Sequence, residues 1–169
     1  TNARILHHCF VKSLNYDTQS EGGKAFIPWT QKQGLNPVLL KMAISSQETH
    51  LGVISDEGTN GRGIMQLARP VHLDGFEAYV PLNGPNDEYD AEAEVIWQGI
   101  ENNILTNIIY GTHMLGVKVK EGASNLKDIA EMYNGNSDVD HNDKLGRLHY
   151  VVYGENVEKY YQELKKCDL

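Results

Sequence analysis

The pair Asn36-Pro37 fixes a helix start more tightly than any other feature of this chain. Asparagine is a favoured cap, proline is pre-set for the first helical position, and Val38, Leu39, Leu40, Met42, Ala43 and Ile44 follow as an apolar run. The spacing predicts a helix that reaches Glu48 and stops near Gly52. Apolar residues return every three to four positions elsewhere too. Ile5, Leu6, Cys9, Phe10 and Leu14 predict a helix over residues 3–15, and Ala93, Ile96, Trp97, Ile100, Ile104, Ile108 and Leu115 predict a long one that Gly116 ends. Ser124 is read as the cap of a helix carrying Leu126, Ile129, Ala130 and Tyr133, and a last helical region ends near Lys166.

The intervening segments carry turn chemistry. Glu21-Gly22-Gly23 reads as a loop, and residues 52–63 and 80–90 are rich in Gly, Pro, Asn, Asp and Ser. Residues 62–67 read as a short extended segment, so the expected fold class is α+β, mostly α-helical, with one small β-hairpin region.

With 169 residues and no repeat or low-complexity tract, the chain is expected to be one domain, residues 1–35 forming an N-terminal helical extension to a core of residues 36–169. A formal charge of −8 argues against a protein held on nucleic acid by counterion release. No stretch approaches the roughly 20 apolar residues that cross a bilayer, and no secretory signal pattern opens the chain, so a soluble monomeric domain is expected. Cys9 and Cys167 lie at opposite ends, and a disulfide and two free thiols both stay open, because sequence does not give their separation in space.

Leu40, Ile44 and Glu48 stand at i, i+4 and i+8, which sets a carboxylate on an apolar stripe at the negative end of a helix dipole. Desolvation and the dipole both raise the pKa of such a Glu, as a general acid working near neutrality requires. The plain alternative is a solvated Glu just past the helix end.

Metal readings are poorer. His7, His8 and Cys9 do not complete a zinc set, and Asp138, Asp140 and Asn142 start a calcium-loop pattern that Asp143 and His149 break at its sixth and twelfth positions. No metal and no cofactor is expected.

Four ordered blocks carry a family resemblance. Ser46-Gln47-Glu48-Thr49-His50, Gly63-Ile64-Met65-Gln66-Leu67, the run Asn107 to Leu115, and Met132-Tyr133-Asn134-Gly135 together resemble the lysozyme-like superfamily of goose-type lysozymes and lytic transglycosylases. The resemblance spans residues 43–135 and a similar helical tail. Asp56-Glu57-Gly58-Thr59-Asn60-Gly61 is closer to the goose-type run, whereas Thr49, His50, Arg62 and Gly135-Asn136 depart from the family's usual residues.

The resemblance implies a lysozyme-like fold and cleavage of the β-1,4 bond between N-acetylmuramic acid and N-acetylglucosamine in peptidoglycan. Glu48 would be the acid, and Asp56 or Glu57 would activate water if the enzyme is an inverting hydrolase, which needs a second carboxylate roughly 6.5 to 9.5 Å away. A lytic transglycosylase needs none, since the sugar's own 6-hydroxyl attacks. Gly63, Ile64, Met65, Gln66, Tyr133 and Asn134 would line the glycan cleft. Taken without the resemblance, Met65 reads as core packing, and a buried structural tyrosine is the plain alternative for Tyr133.

Two rival functions remain in view: chitinase-like cleavage of N-acetylglucosamine polymers, and a non-catalytic glycan-binding module. Cell walls are often anionic, so an acidic chain fits a secreted, periplasmic or phage-associated wall enzyme delivered by means other than charge.

Overall fold

The computed structural model describes residues 2–52, 63–67, 99, 102–134 and 144–169. Among these residues six helices follow in order: α1 (Asn2–Asp17), α2 (Glu21–Lys32), α3 (Pro37–Thr49), α4 (Ile104–Lys120), α5 (Leu126–Tyr133) and α6 (Lys144–Lys165). None of them is long and apolar enough to cross a membrane.

Helix α3 sits at the centre because it is apolar on nearly every side. Leu40, Met42, Ala43 and Ile44 are wholly buried, as expected of a helix that must be surrounded. Helices α1 and α6 pack on it, while α4 packs on α1, α2 and α5. Phe10 of α1 and Phe26 of α2 join the same core, so the N-terminal residues are integral to it.

Local chemistry explains the ends of α3. The Asn36 side-chain oxygen accepts from Val38 N at 2.9 Å and from Leu39 N at 3.2 Å. At the other end His50 turns left-handed, with φ 48°, and its N–H donates back to the carbonyls of Ser45 and Ser46.

Several sequence expectations need correcting. Glu21-Gly22-Gly23 is no loop but the first turn of α2, with Ser20 as its cap accepting from Gly23 N at 2.9 Å. Gly116 does not stop α4, which runs on to Lys120. Both corrections share a cause, since these glycines are where backbones touch. A Cβ on Gly116 would lie 1.9 Å from the Gly22 carbonyl oxygen, one on Gly22 would lie 2.3 Å from that of His113, and one on Gly23 would lie 2.0 Å from that of Asp17.

Of the long helix expected through residues 93–115, positions 93–98, 100 and 101 lie outside the described residues, and α4 has its own start at Asn103, whose side chain accepts from Thr106 N at 3.0 Å. The cap of α5 is Asn125 and not Ser124; Ser124 instead donates its N–H and hydroxyl to the Asp128 carboxylate at 2.8 and 3.1 Å. Cys9 and Cys167 are both free thiols, so the disulfide is not formed.

The extended segment over residues 62–67 is, where described, a turn. Gly63 has φ 75° and Gln66 has φ 49°, conformations no strand adopts, and Gln66 N donates to Gly63 O at 3.0 Å. No strand appears among the described residues, and residues 53–62, 68–98 and 135–143 lie outside them.

The glycine contacts make a direct test. Gly116→Ala is expected to destabilise the fold by about 3 kcal/mol, the upper end for overpacking, because what stands in the way is rigid backbone. Thermal denaturation should show a fall of several degrees, whereas Gly99→Ala, with nothing within 4 Å of its Cβ, leaves the midpoint unchanged or slightly raised.

Candidate active site

Glu48 sits in the last turn of α3, below the buried Leu40 and Ile44 on the same stripe, and is itself partly buried. Its Oε1 accepts a hydrogen bond from the Tyr153 hydroxyl of α6 at 2.6 Å. Desolvation pushes the Glu48 carboxyl up to about 7, and the tyrosine bond, which favours the ionised form, works against that rise. At neutral pH the group therefore stands near half-protonation. Tyr153 itself is held well above its ordinary pKa by burial and by the neighbouring carboxylate, so it stays a donor.

Beside Glu48 lies the turn of residues 63–67, docked by four hydrogen bonds to three helices. Ser45 Oγ and Thr49 Oγ1 both donate to Ile64 O, at 3.0 and 2.9 Å. These residues flank Glu48 on α3, three positions before it and one after. Met65 N donates to Asn107 Oδ1 of α4 at 2.8 Å, and Tyr133 of α5 donates its hydroxyl to Met65 O at 2.7 Å. Gln66 turns its side-chain amide back to Gly63 O at 3.0 Å, which fastens the turn within itself. Glycine is required twice in this joint. A Cβ on Gly63 would lie 2.2 Å from Asn107 Nδ2, and one on Gly111 would lie 2.8 Å from Met65 Cε.

Ile64, Met65 and Tyr133 point into the fold, with Met65 and Tyr133 wholly buried. Their side chains hold the turn in place beside the acid. Burial and the Glu48 charge keep the Tyr133 phenol well above its ordinary pKa, which puts this second hydroxyl within electrostatic reach of the carboxyl. Asn134 caps the end of α5, and its side-chain Nδ2 is buried without a hydrogen-bond partner among the described residues. Asp56 and Glu57 lie outside the described residues.

Strain gathers at the same place. The non-glycine residues with positive φ among those described are His50, Leu51 and Gln66, at 48°, 57° and 49°, all bordering Glu48 or the docked turn. Such conformations persist only where surrounding contacts enforce them, and they concentrate at functional sites.

Sequence reasoning missed Tyr153, Ser45 and the anchoring role of Thr49. Tyr153 is separated from Glu48 by 105 positions, so no local spacing could pair them. Ser45 and Thr49 carried a usable signal, two hydroxyls at i and i+4 on an otherwise apolar helix. Among the described residues no three His, Cys, Asp or Glu side chains gather as a metal set. Comparison with protein-family models, with curated proteins and with solved structures finds no match.

Proposed function

We propose that this chain cleaves peptidoglycan glycan strands at the β-1,4 bond between N-acetylmuramic acid and N-acetylglucosamine, with Glu48 as general acid. The observation that carries the reading is a carboxyl held protonated up to a pH of about 7 in a partly open position, beside a backbone turn fastened independently of it. Protonation of the bridging oxygen lets the C1–O bond break, and water or the sugar's own 6-hydroxyl then takes the oxocarbenium-like carbon. We favour water and a goose-type, hydrolytic course, with Asp56 or Glu57 activating it.

The docked turn supports the reading through its rigidity. A glycan seated against Gly63 and Gln66 would meet a pre-ordered edge, so little ordering entropy is lost on binding. The unpaired Asn134 amide is a donor that an acetamido or hydroxyl oxygen would satisfy. The setting we propose is the cell wall, reached by a secreted, periplasmic or phage-associated monomer.

Mass spectrometry of digested, purified peptidoglycan tests the reading. Reducing-ended fragments are expected; anhydro-ended fragments, one water lighter, would make the chain a lytic transglycosylase. Release from chitin oligomers alone would make it a chitinase, and binding without any cleavage would leave a glycan-binding module.

Tyr153→Phe tests the pairing at the acid. Removing a donor to the carboxylate raises the Glu48 pKa further, so the alkaline fall in activity is expected to move to higher pH. The pH–rate profile reads this directly, and an unmoved alkaline limb would detach Glu48 from the titration.

A further inference from the structure

We propose that His113 is an acid-sensitive latch on the seam between α2 and α4, holding the first turn of α2 while its ring is neutral and releasing it once the ring gains a second proton. Gly22 N donates to His113 Nδ1 at 3.3 Å. An accepting Nδ1 must carry a lone pair, so the ring is neutral with its proton on Nε2. Protonation would set two N–H groups face to face. It would also place a cation against the positive end of the α2 dipole.

The seam has no slack to absorb that change. Its backbones are in contact at Gly22, His113 and Gly116, where any added Cβ would fall within 2.3 Å of a carbonyl oxygen. The neighbouring first-turn amide, Gly23 N, is satisfied separately by Ser20 Oγ. Breaking the histidine bond therefore exposes one amide and leaves the other capped.

Burial is the main influence that disfavours the charged ring, and Lys120 on α4 acts in the same direction. Glu21 on α2 opposes them, though its carboxylate is paired with Lys24 at 3.3 Å. On α1, which packs on both helices, Asp17 meets Gly23 through its backbone while Lys41 takes its carboxylate. A histidine whose folded pKa lies below the unfolded value of 6.5 contributes stability that is complete above that value and is lost as pH falls from it through the lower folded pKa. The consequence reaches the candidate active site, because α4 also carries Asn107 and Gly111, which grip Met65.

Nuclear magnetic resonance on the isotope-labelled whole chain, titrated from pH 8 to pH 5, provides the test. The ring nitrogens are expected to report the Nε2–H tautomer and a titration below 6.5. Hydrogen-exchange protection at Gly22, measured relative to Gly23, is expected to drop several-fold over the same titration. His113→Gln keeps an accepting oxygen that does not titrate, so in that variant Gly22 protection should stay flat. An Nδ1–H tautomer, or Gly22 protection that ignores the ring's titration in the wild-type chain, would overturn the proposal; both readings need no variant to fold.

Discussion

Glu48→Gln is expected to remove glycan cleavage while making the protein more stable above neutral pH. A positioned general acid contributes typically 10²- to 10⁴-fold, so residual turnover should fall by about that factor. The amide keeps the shape of the carboxyl and still accepts from Tyr153, so binding and fold are retained. The stability half follows from linkage. The folded state holds the Glu48 proton up to about 7, whereas the ordinary value is 4.5, so the folded state binds more protons over that interval and its stability declines as pH rises through it.

The difference corresponds to about 3 kcal/mol at full ionisation, an order-of-magnitude figure. Glutamine has no charge to bury, so denaturation midpoints of variant and wild type should agree near pH 4 and diverge above pH 7 in favour of the variant. On the proposed reading, a carboxyl kept in a poor solvent to serve as the acid trades stability for function in this way. If the variant cleaves peptidoglycan and chitin at the wild-type rate, the acid has been assigned to the wrong residue.

How far the chain could be read from its letters depended on how local each cause was. The start of α3 was legible to the residue, since a cap and a proline act on their immediate neighbours. So was the stripe that carries Glu48, because helical spacing alone stacks Leu40, Ile44 and Glu48.

Glycine misled wherever its reason was tertiary. Locally Gly22, Gly23 and Gly116 look like punctuation, but in the fold they are the points where α2 meets α1 and α4 without room for a side chain. Asn103 was hidden for the opposite reason, since the apolar rhythm continues across it while its side chain closes one helix start. The apolar letters of residues 63–67 suited a strand, and only left-handed backbone at Gly63 and Gln66 makes them a turn. Tyr153 could not be read at all, because its meaning depends on α6 returning across α3.

Lys41→Met is expected to be the most damaging single change to the fold, with a loss of about 3 to 5 kcal/mol. Lys41 and Asp17 form an ion pair at 2.5 Å in which both side chains are essentially sealed from solvent. Burial drives the Asp17 carboxyl up and the Lys41 ammonium down, and their mutual contact is what opposes both shifts. Taking away the lysine leaves a carboxyl group inside the protein with nothing to face.

The pair is nevertheless a poor source of net stability, because Asp17 Oδ1 is buried without a partner even when Lys41 is present. The double variant Asp17→Leu with Lys41→Met should therefore recover the loss and match or exceed the wild type. Ser13, whose Oγ accepts from Lys41 Nζ at 3.0 Å, tolerates the exchange, since its hydroxyl keeps its own bond to Phe10 O at 2.6 Å. Denaturant unfolding of the two single variants and the double variant closes a cycle, and the coupling it returns separates a pair that stabilises the fold from one that fixes how α1 and α3 meet. Additive single losses would mean that the two charges do not act as a pair. Strong coupling with a stable double variant would mean that the ions specify the register of the helix carrying Glu48, seven positions from Lys41, without being needed to hold it down.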